Sequence, residues 1–468
     1  MYKKLLCALV VCLAPAWVMA AETTQEQDDF RQLYKQLVEI NTTLSEGSCT
    51  VAAEAMAERL RSAGMPAADI QIIVAPEWPK QGNLVATLHG TSRDAEAVLL
   101  LAHIDVVEAK RADWERDPFT LIEEDGYFFG RGTADDKSMA AVFVDVMMRM
   151  SRSGYKPERT LKLALTCGEE TPNTFNGASY LIKHHRDLID AKFALNEGGG
   201  GRLDENGQPV YHGIQAGEKV YQDYRIEVTN SGGHSSMPRP DNAIYQLSAA
   251  LGRIAAYTFP IEFNDTTRSY FERLSQMNTG QKAADMLAIL QQPIDATALA
   301  RITSNPAYNS ILHTTCVATM LDGGHAPNAL PQRANANINC RIFPGHTQEE
   351  IRQTLARVVA DNNIAVSFVD PPELTSAPPP LTREILEPVE RLTNAMWLGI
   401  PVLPSMIAGG TDGRFLTPAG IPTYGISGLF TAPGEVNAHG LNEKLRVKSL
   451  YDSREFLDQL IRIYVGGE

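Results

Sequence analysis

The sequence predicts an α/β protein, a mixed sheet with helices on both faces, into which a smaller α+β domain is inserted. Three observations predict it. Short apolar runs at Gln71–Val74, Gly82–Leu88, Ala97–Ala102, Leu161–Thr166 and Phe193–Asn196 alternate with helical stretches. From about Gln215 the pattern changes to period-two strands. After the proline-rich stretch Pro371–Pro380 the strand-and-helix alternation resumes.

Taken in order, the N-terminus has a basic start (Lys3, Lys4), an apolar core from Leu5 to Val18, and Val18-Met19-Ala20 before Ala21. That is the pattern of a secretory signal with a small-residue cleavage site. Val11 is too large for a lipoprotein motif at Cys12. Gln25–Gly64 reads as helix, interrupted near Gly47. Lys137–Ser153 and Gly177–Asp187 are predicted helices; the first places Met139, Val142, Phe143, Val146, Met147 and Met150 on one stripe. Tyr224–Thr229 is a predicted strand, and a helix follows Asn242. Phe259–Asn309 is polar and helical without a sheet pattern, an insertion. Thr314–Met320 and Arg333–Phe343 alternate: Ala334, Ala336, Ile338, Cys340 and Ile342 face one way, Arg333, Asn335, Asn337, Asn339 and Arg341 the other. Thr347 with Glu350 forms a capping box. Glu384–Met396 and a stretch from Ser449 close the chain as helices. The expected division is 1–20 signal peptide, 21–215 and 377–468 the two parts of the large domain, and 216–376 the inserted domain.

At 468 residues the chain can build two sizeable cores. Its formal charge is −14, more negative still once Lys3 and Lys4 are removed. Acidity without Lys/Arg clusters argues against nucleic-acid binding. No later run reaches the ~18 apolar residues of a membrane span, so the mature protein is expected to be soluble and exported. Cys49, Cys167, Cys316 and Cys340 lack CxxC spacing, which excludes a zinc ribbon and a dense disulfide framework. Cys316–Cys340 is the pair best suited to a bridge, with buried free thiols the alternative.

The chemistry gathers at strand ends. The run Ala97–Ala102 leads into His103 and Asp105, two residues apart and therefore on one side of an extended chain. Glu169 and Glu170 follow Leu161–Thr166, and Glu197 follows Phe193–Asn196. Carboxyl ends of strands are where open α/β sheets place their ligand crevice. Asp135 and Asp136 lie in a turn opening a helix, and His439 in a loop before the last one. One imidazole and one carboxylate per ion, with a shared carboxylate, suits zinc. Asp135, Glu170 and Glu197 offset three of the four charges on two Zn²⁺ ions, and the remainder favours a bridging hydroxide. Taken singly, a strand-end His is structural, Glu-Glu is solvated surface and Asp-Asp is a helix cap; their joint placement is what points to metal.

His103-x-Asp105, Gly-Arg-Gly-x-x-Asp135-x-Lys, Glu169-Glu170, Glu197 and His439 together resemble the M20 family of metallopeptidases and amidohydrolases, from roughly residue 30 to the C-terminus. The Trp114–Phe119 and Tyr127–Lys137 context is most similar to the carboxypeptidase S and secreted N-acyl amino acid hydrolase branch. The resemblance implies a zinc-exopeptidase-like catalytic domain with an inserted ferredoxin-like lid and dimerisation domain. It implies two Zn²⁺ per subunit, with Co²⁺ or Mn²⁺ as substitutes. Asp135 would bridge them, His103 and Glu197 completing one site and Glu170 and His439 the other. Glu169 would be the general base on the bridging water, and Asp105 would orient His103 by accepting its second ring proton. The Asp135–Asp136 peptide would be cis. His234, in Gly-Gly-His-Ser-Ser, would polarise the scissile carbonyl, reaching into a partner's site across a homodimer. Asn328, Arg341 and Arg414 would bind the substrate carboxylate, arginine being suited by its planar fork. His313 and His325 have no such role and are expected to be structural.

The expected activity is hydrolysis of an amide bond next to a free carboxylate, by a carboxypeptidase or dipeptidase in the periplasm or medium. An N-acyl amino acid amidohydrolase is the alternative, and the substrates expected are small peptides or acylated amino acids. Export argues against the cytoplasmic biosynthetic deacetylases. A catalytically inactive binding relative would have lost Glu169 or a ligand, and none is lost. A metal-storage protein would not need the carboxylate-binding residues.

Overall fold

The computed structural model describes residues 25–171 and 174–467. The leader expected at 1–20, and with it Cys12, lies outside the described residues.

The large sheet has ten strands. Its centre is Val98–His103, parallel to Leu161–Thr166 on one side and to Phe193–Asn196 on the other, with His103 opposite Thr166 and Leu100 opposite Leu195. Parallel pairing points all three carboxyl ends to one rim, so residues far apart in sequence meet there. Val98–His103 is buried along its whole length, as its unbroken apolar run requires. Antiparallel strands Ile70–Ile73 and Asn83–Leu88 extend one edge. Thr423–Gly425, Pro209–Glu218, Gly201–Leu203, Phe430–Thr431 and Val402–Ile407 extend the other. Helices Gln25–Glu39, Cys49–Ser62, Lys137–Ser153 and Val447–Val465 share one core with the sheet, through Leu37, Met56, Phe143, Leu163 and Leu460 among others. On the opposite face Leu99, Leu101 and Ala164 pack against Ala178, Leu181 and Leu416. The helix expected over Gly177–Asp187 breaks at His185 into Gly177–His184 and Arg186–Ile189.

The second sheet has four antiparallel strands in the order Thr315–Gly323, Arg333–Ile342, Val220–Thr229, Ile364–Phe368. Helices Ala243–Ala256 and Gln348–Val359 cover one face, on a core that includes Tyr224, Leu247, Ala336, Ile338 and Leu355. The alternation in Arg333–Ile342 is realised residue by residue, and Thr347 and Glu350 form the reciprocal capping box. The edge strand Thr315–Gly323 exposes Val317, Met320 and Leu321.

Four helices, Asp265–Gln276, Gly280–Ala288, Ala296–Thr303 and Pro306–Leu312, fill the stretch whose sequence shows no sheet pattern. Their core, with Phe271, Met286, Ile302 and Leu312, closes on Leu403 and Met406 of the large sheet. This segment therefore packs beside the large sheet and not on the small one. Among the described residues two disulfides are present: Cys316–Cys340, joining cross-strand partners, and Cys49–Cys167. The second pairing is not foreshadowed in the sequence, because 118 positions separate its cysteines.

Candidate metal centre and active site

Two groups of potential metal ligands meet at the rim: His103, Asp135 and Glu197 in one, Asp135, Glu170 and His439 in the other. Within each, the donor atoms lie within 4.8 Å of one another. Asp135 belongs to both. Its Oδ1 lies 3.1 Å from His103 Nε2 and its Oδ2 3.2 Å from His439 Nε2. Glu197 Oε2 is 3.7 Å from His103 Nε2, and Glu170 Oε2 is 2.8 Å from His439 Nε2. His103 Nδ1 faces the main-chain carbonyl of Asp105 at 3.1 Å. A carbonyl can only accept, so Nδ1 carries the proton and Nε2 is left free to bind metal.

Local structure explains how each ligand is aimed. The loop between Tyr127–Phe129 and Lys137–Ser153 is wrapped around the carboxylate of Glu443. That group accepts from Arg131 Nη1 (2.6 Å), Gly132 N (2.9 Å), Ala134 N (2.8 Å) and Asp135 N (3.2 Å). Lys444–Arg446 then pairs antiparallel with Tyr127–Phe129, so the loop bearing His439 is zipped to the one bearing Asp135. The Asp135–Asp136 peptide is cis. Asp105 differs in detail from the sequence reading. Its carboxylate is 3.6 Å from His103 Nδ1, farther than its own carbonyl, and accepts instead from the amides of Glu169 (3.3 Å) and Glu170 (3.0 Å). It orients the acidic pair as much as the imidazole.

Burial pushes Glu169 up to about 9 and Glu170 up to about 8, with neighbouring carboxylates adding to the effect, and it raises Glu197 as well. Burial acts against protonated His103, yet Glu197, Asp105 and Asp135 hold it well above the ordinary imidazole value. Asp135 stays below its ordinary range despite burial because both histidines donate to it. A crowd of half-buried acids around two imidazoles is the environment that divalent cations stabilise. The nitrogen and oxygen donors fit Zn²⁺, Co²⁺ or Mn²⁺.

Glu169 lines a cleft that also contains Arg341 and Arg414. Arg341 Nη1 donates to Ala408 O at 3.2 Å, and its guanidinium lies 4.6 Å from the ring centre of Tyr221. Arg414 Nε is buried without a hydrogen-bond partner. Among the described residues neither arginine has an ion-pair partner, so both are free for an anionic ligand. His234 and Asn328 stand elsewhere. They sit together on an exposed two-stranded ribbon, where Gly233–His234 pairs with Ala329–Leu330 and Ser235 N donates to Asn328 O. His234 Nδ1 accepts from Ser236 N, and neither residue lines the cleft. His313 is buried, with Nδ1 against Phe259 O and Nε2 against Asn309 Oδ1.

Sequence reasoning missed four supports of this site. Glu443 is one. Thr411 and Asp412 are held onto the strand ends by Asn196 Nδ2 (3.0 Å to Thr411), Thr166 Oγ1 and Asn176 Nδ2 (each 2.7 Å to Asp412). Glu218 accepts from Thr411 N at 2.7 Å, and burial pushes it up to about 8. An acid placed four residues after His439 was the one available signal for Glu443; the others are ordinary polar residues in sequence.

Paired ligand groups, a shared carboxylate and an adjacent free glutamate define a metal-dependent hydrolase centre. The profile of peptidase family M20/M25/M40 matches residues 99–463, and the chain belongs to that family. Among its relatives is the N-fatty-acyl-amino acid synthase/hydrolase PM20D1 of Xenopus tropicalis, 29% identical over 388 residues, covering 81% of this chain and 73% of that one. The probable carboxypeptidase S-like 2 of Dictyostelium discoideum is 26% identical, with 81% and 74% covered. The M20 family metallo-carboxypeptidase Sso-CP2 of Sulfolobus solfataricus shares the fold with a TM-score of 0.68 at 15% identity, over 94% of this chain and 99% of that one. Human carnosine dipeptidase 1 shares it at 0.61, also at 15% identity, over 94% and 96%.

Proposed function

We propose that this protein is an exported di-zinc hydrolase of an amide bond next to a free carboxylate, acting as a carboxypeptidase or dipeptidase. The observation that carries the reading is Asp135, shared between two ligand groups beside a glutamate in a cleft with two unpaired arginines. His103, Asp135 and Glu197 would hold one zinc ion and Asp135, Glu170 and His439 a second, and the pair would supply Lewis acidity to water and carbonyl when bound. Arg341 and Arg414 pair with the substrate carboxylate. Glu169 takes a proton from the attacking water; the C–N bond breaks and the proton passes to the leaving nitrogen, giving an acid and an amine. His234 and Asn328, exposed on the two-stranded ribbon, serve a second copy of the chain across a homodimer. The exposed Val317, Met320 and Leu321 on the neighbouring edge strand support that arrangement. The basic, apolar N-terminus supports export.

An N-acyl amino acid amidohydrolase is the second reading, favoured by the names of the Xenopus and human relatives. The same chemistry serves both, and only the group on the acyl side differs. A panel of dipeptides and N-acyl amino acids, assayed for free amino acid with mature zinc-loaded protein, separates them. Glu169→Gln is expected to lower kcat about 10²–10⁴-fold with bound metal unchanged. Turnover of neither class, with two metals bound, sinks the hydrolase reading.

A further inference from the structure

The bridge between Cys49 and Cys167 has no part in the chemistry described so far, yet Cys167 stands two residues before Glu169 and three before Glu170. Cys49 opens the helix Cys49–Ser62, and both cysteines are buried. The segment leading to Cys49 runs around the back of the metal centre. Ile40 O accepts from Lys137 Nζ at 2.7 Å, Thr42 O from Val106 N at 3.4 Å, and Ser45 Oγ donates to Glu108 Oε2 at 2.8 Å. Residues 40–49 thus touch the chain just after His103–Asp105 and just after Asp135, and the bridge closes this girdle onto the third ligand-bearing segment.

That third segment has little slack of its own. Cys167 N donates to Asn83 Oδ1 at 3.1 Å, Gly177 N to Cys167 O at 2.7 Å, and Asn176 Nδ2 to Gly168 O at 3.2 Å. Gly168 has φ +92°, and a Cβ there would lie 2.0 Å from Phe175 O, so the turn is specified down to the backbone. Hydrogen bonds and core packing supply the other restraints on it; the bridge adds a covalent cross-link.

We propose that the Cys49–Cys167 disulfide is a positioning element for the turn carrying Glu169 and Glu170, so that catalytic competence depends on its oxidation. The proposal rests on the assignment of Glu169 and Glu170 as base and ligand. The bridge forms when the two thiols lose two protons and pass two electrons to a disulfide oxidant by exchange; a dithiol returns both electrons and protons and opens it.

The test uses the mature, zinc-loaded full chain, its Cys49→Ala/Cys167→Ala and Cys49→Ala variants, and metal-free samples of each titrated with Co²⁺ by visible absorption. Opening the bridge is expected to lower kcat at least tenfold with KM within twofold, and to weaken the looser of the two Co²⁺ sites at least tenfold. Variants that fold with kcat and both Co²⁺ affinities within twofold of the parent overturn the proposal. Should neither variant fold, stepwise reduction of the native enzyme by dithiothreitol decides, with alkylation and mass spectrometry identifying the open bridge. Loss of activity in step with Cys49–Cys167, far-ultraviolet dichroism unchanged and activity regained on reoxidation, supports it; full activity in chains with that bridge open overturns it. A Glu169→Gln variant as active as the parent would sink the base assignment instead, and the Co²⁺ titration would still read the turn.

Discussion

Glu443 accepts four hydrogen bonds from the loop that presents Asp135 and forms a buried ion pair with Arg131. Replacing it by glutamine turns an amide NH₂ toward backbone N–H donors and leaves Arg131 buried without its charge partner. Breaking such a pair costs about 3–5 kcal/mol. Glu443→Gln is therefore expected to lower the melting temperature and to weaken metal binding, since Asp135 belongs to both candidate ligand groups; metal content by mass spectrometry after dialysis checks it. His212 makes a second residue-scale prediction. Its ring sits among Trp397, Phe430 and Phe456, with Nδ1 2.8 Å from Thr393 Oγ1, and burial pushes it down to about 3 from the ordinary 6.5. Between those values the unfolded chain binds a proton that the folded chain refuses. The stabilisation is complete above the unfolded value and is lost as pH falls through the window, at up to ~1.4 kcal/mol per pH unit. Urea unfolding at pH 7 and pH 5 should show a larger loss in the parent than in His212→Gln; equal losses would refute it.

At the scale of elements, local chemistry and periodicity made much of the architecture readable. Leu161–Thr166, Phe193–Asn196 and Lys137–Ser153 fall where their apolar patterns place them, because buried parallel strands and amphipathic helices carry strong periodic signals. The capping box at Thr347 was readable for the same local reason. Thr347→Ala should cost about 1 kcal/mol of stability, read as a lower denaturant midpoint at unchanged m-value, with kcat unchanged; a neutral substitution would mean the helix Gln348–Val359 is held by packing alone. What stayed hidden is non-local. The four helices between Asp265 and Leu312 show their amphipathic faces but not that Leu403 and Met406 receive them. Asp105 was legible as a site residue, but not that its carboxylate would turn to the amides of Glu169 and Glu170, since nothing in His-x-Asp distinguishes a side-chain acceptor from a main-chain one. Glu218 carries no signal at all until strand ends are brought together, and the glycine-rich stretch Gly409–Phe415, though legible as a loop beside the site, does not tell that Thr411 and Asp412 anchor it.

For the whole molecule, the candidate metal centre is also a structural joint. The candidate ligands come from five separate segments, and without cations burial drives Glu170 and Glu197 toward protonation while the two histidines keep Asp135 ionised. A ligand bound only by the folded state adds stability by mass action, about 2.7 kcal/mol at a hundredfold excess over its dissociation constant. A chelator should therefore lower the melting temperature, and Zn²⁺ or Co²⁺ should restore it. An unchanged melting curve would show that the rim is fixed by the protein alone.

The order of those segments along the chain has a consequence for biosynthesis. The ribosome delivers His103, Asp135, Glu169, Glu170 and Glu197 well before His439 and Glu443. One ligand group can be complete long before the other, and the carboxylate that fixes the Asp135 loop comes later still. A nascent chain that has not reached His439, or one clipped before it, thus lacks a member of the second candidate ligand group and the carboxylate that fixes the Asp135 loop.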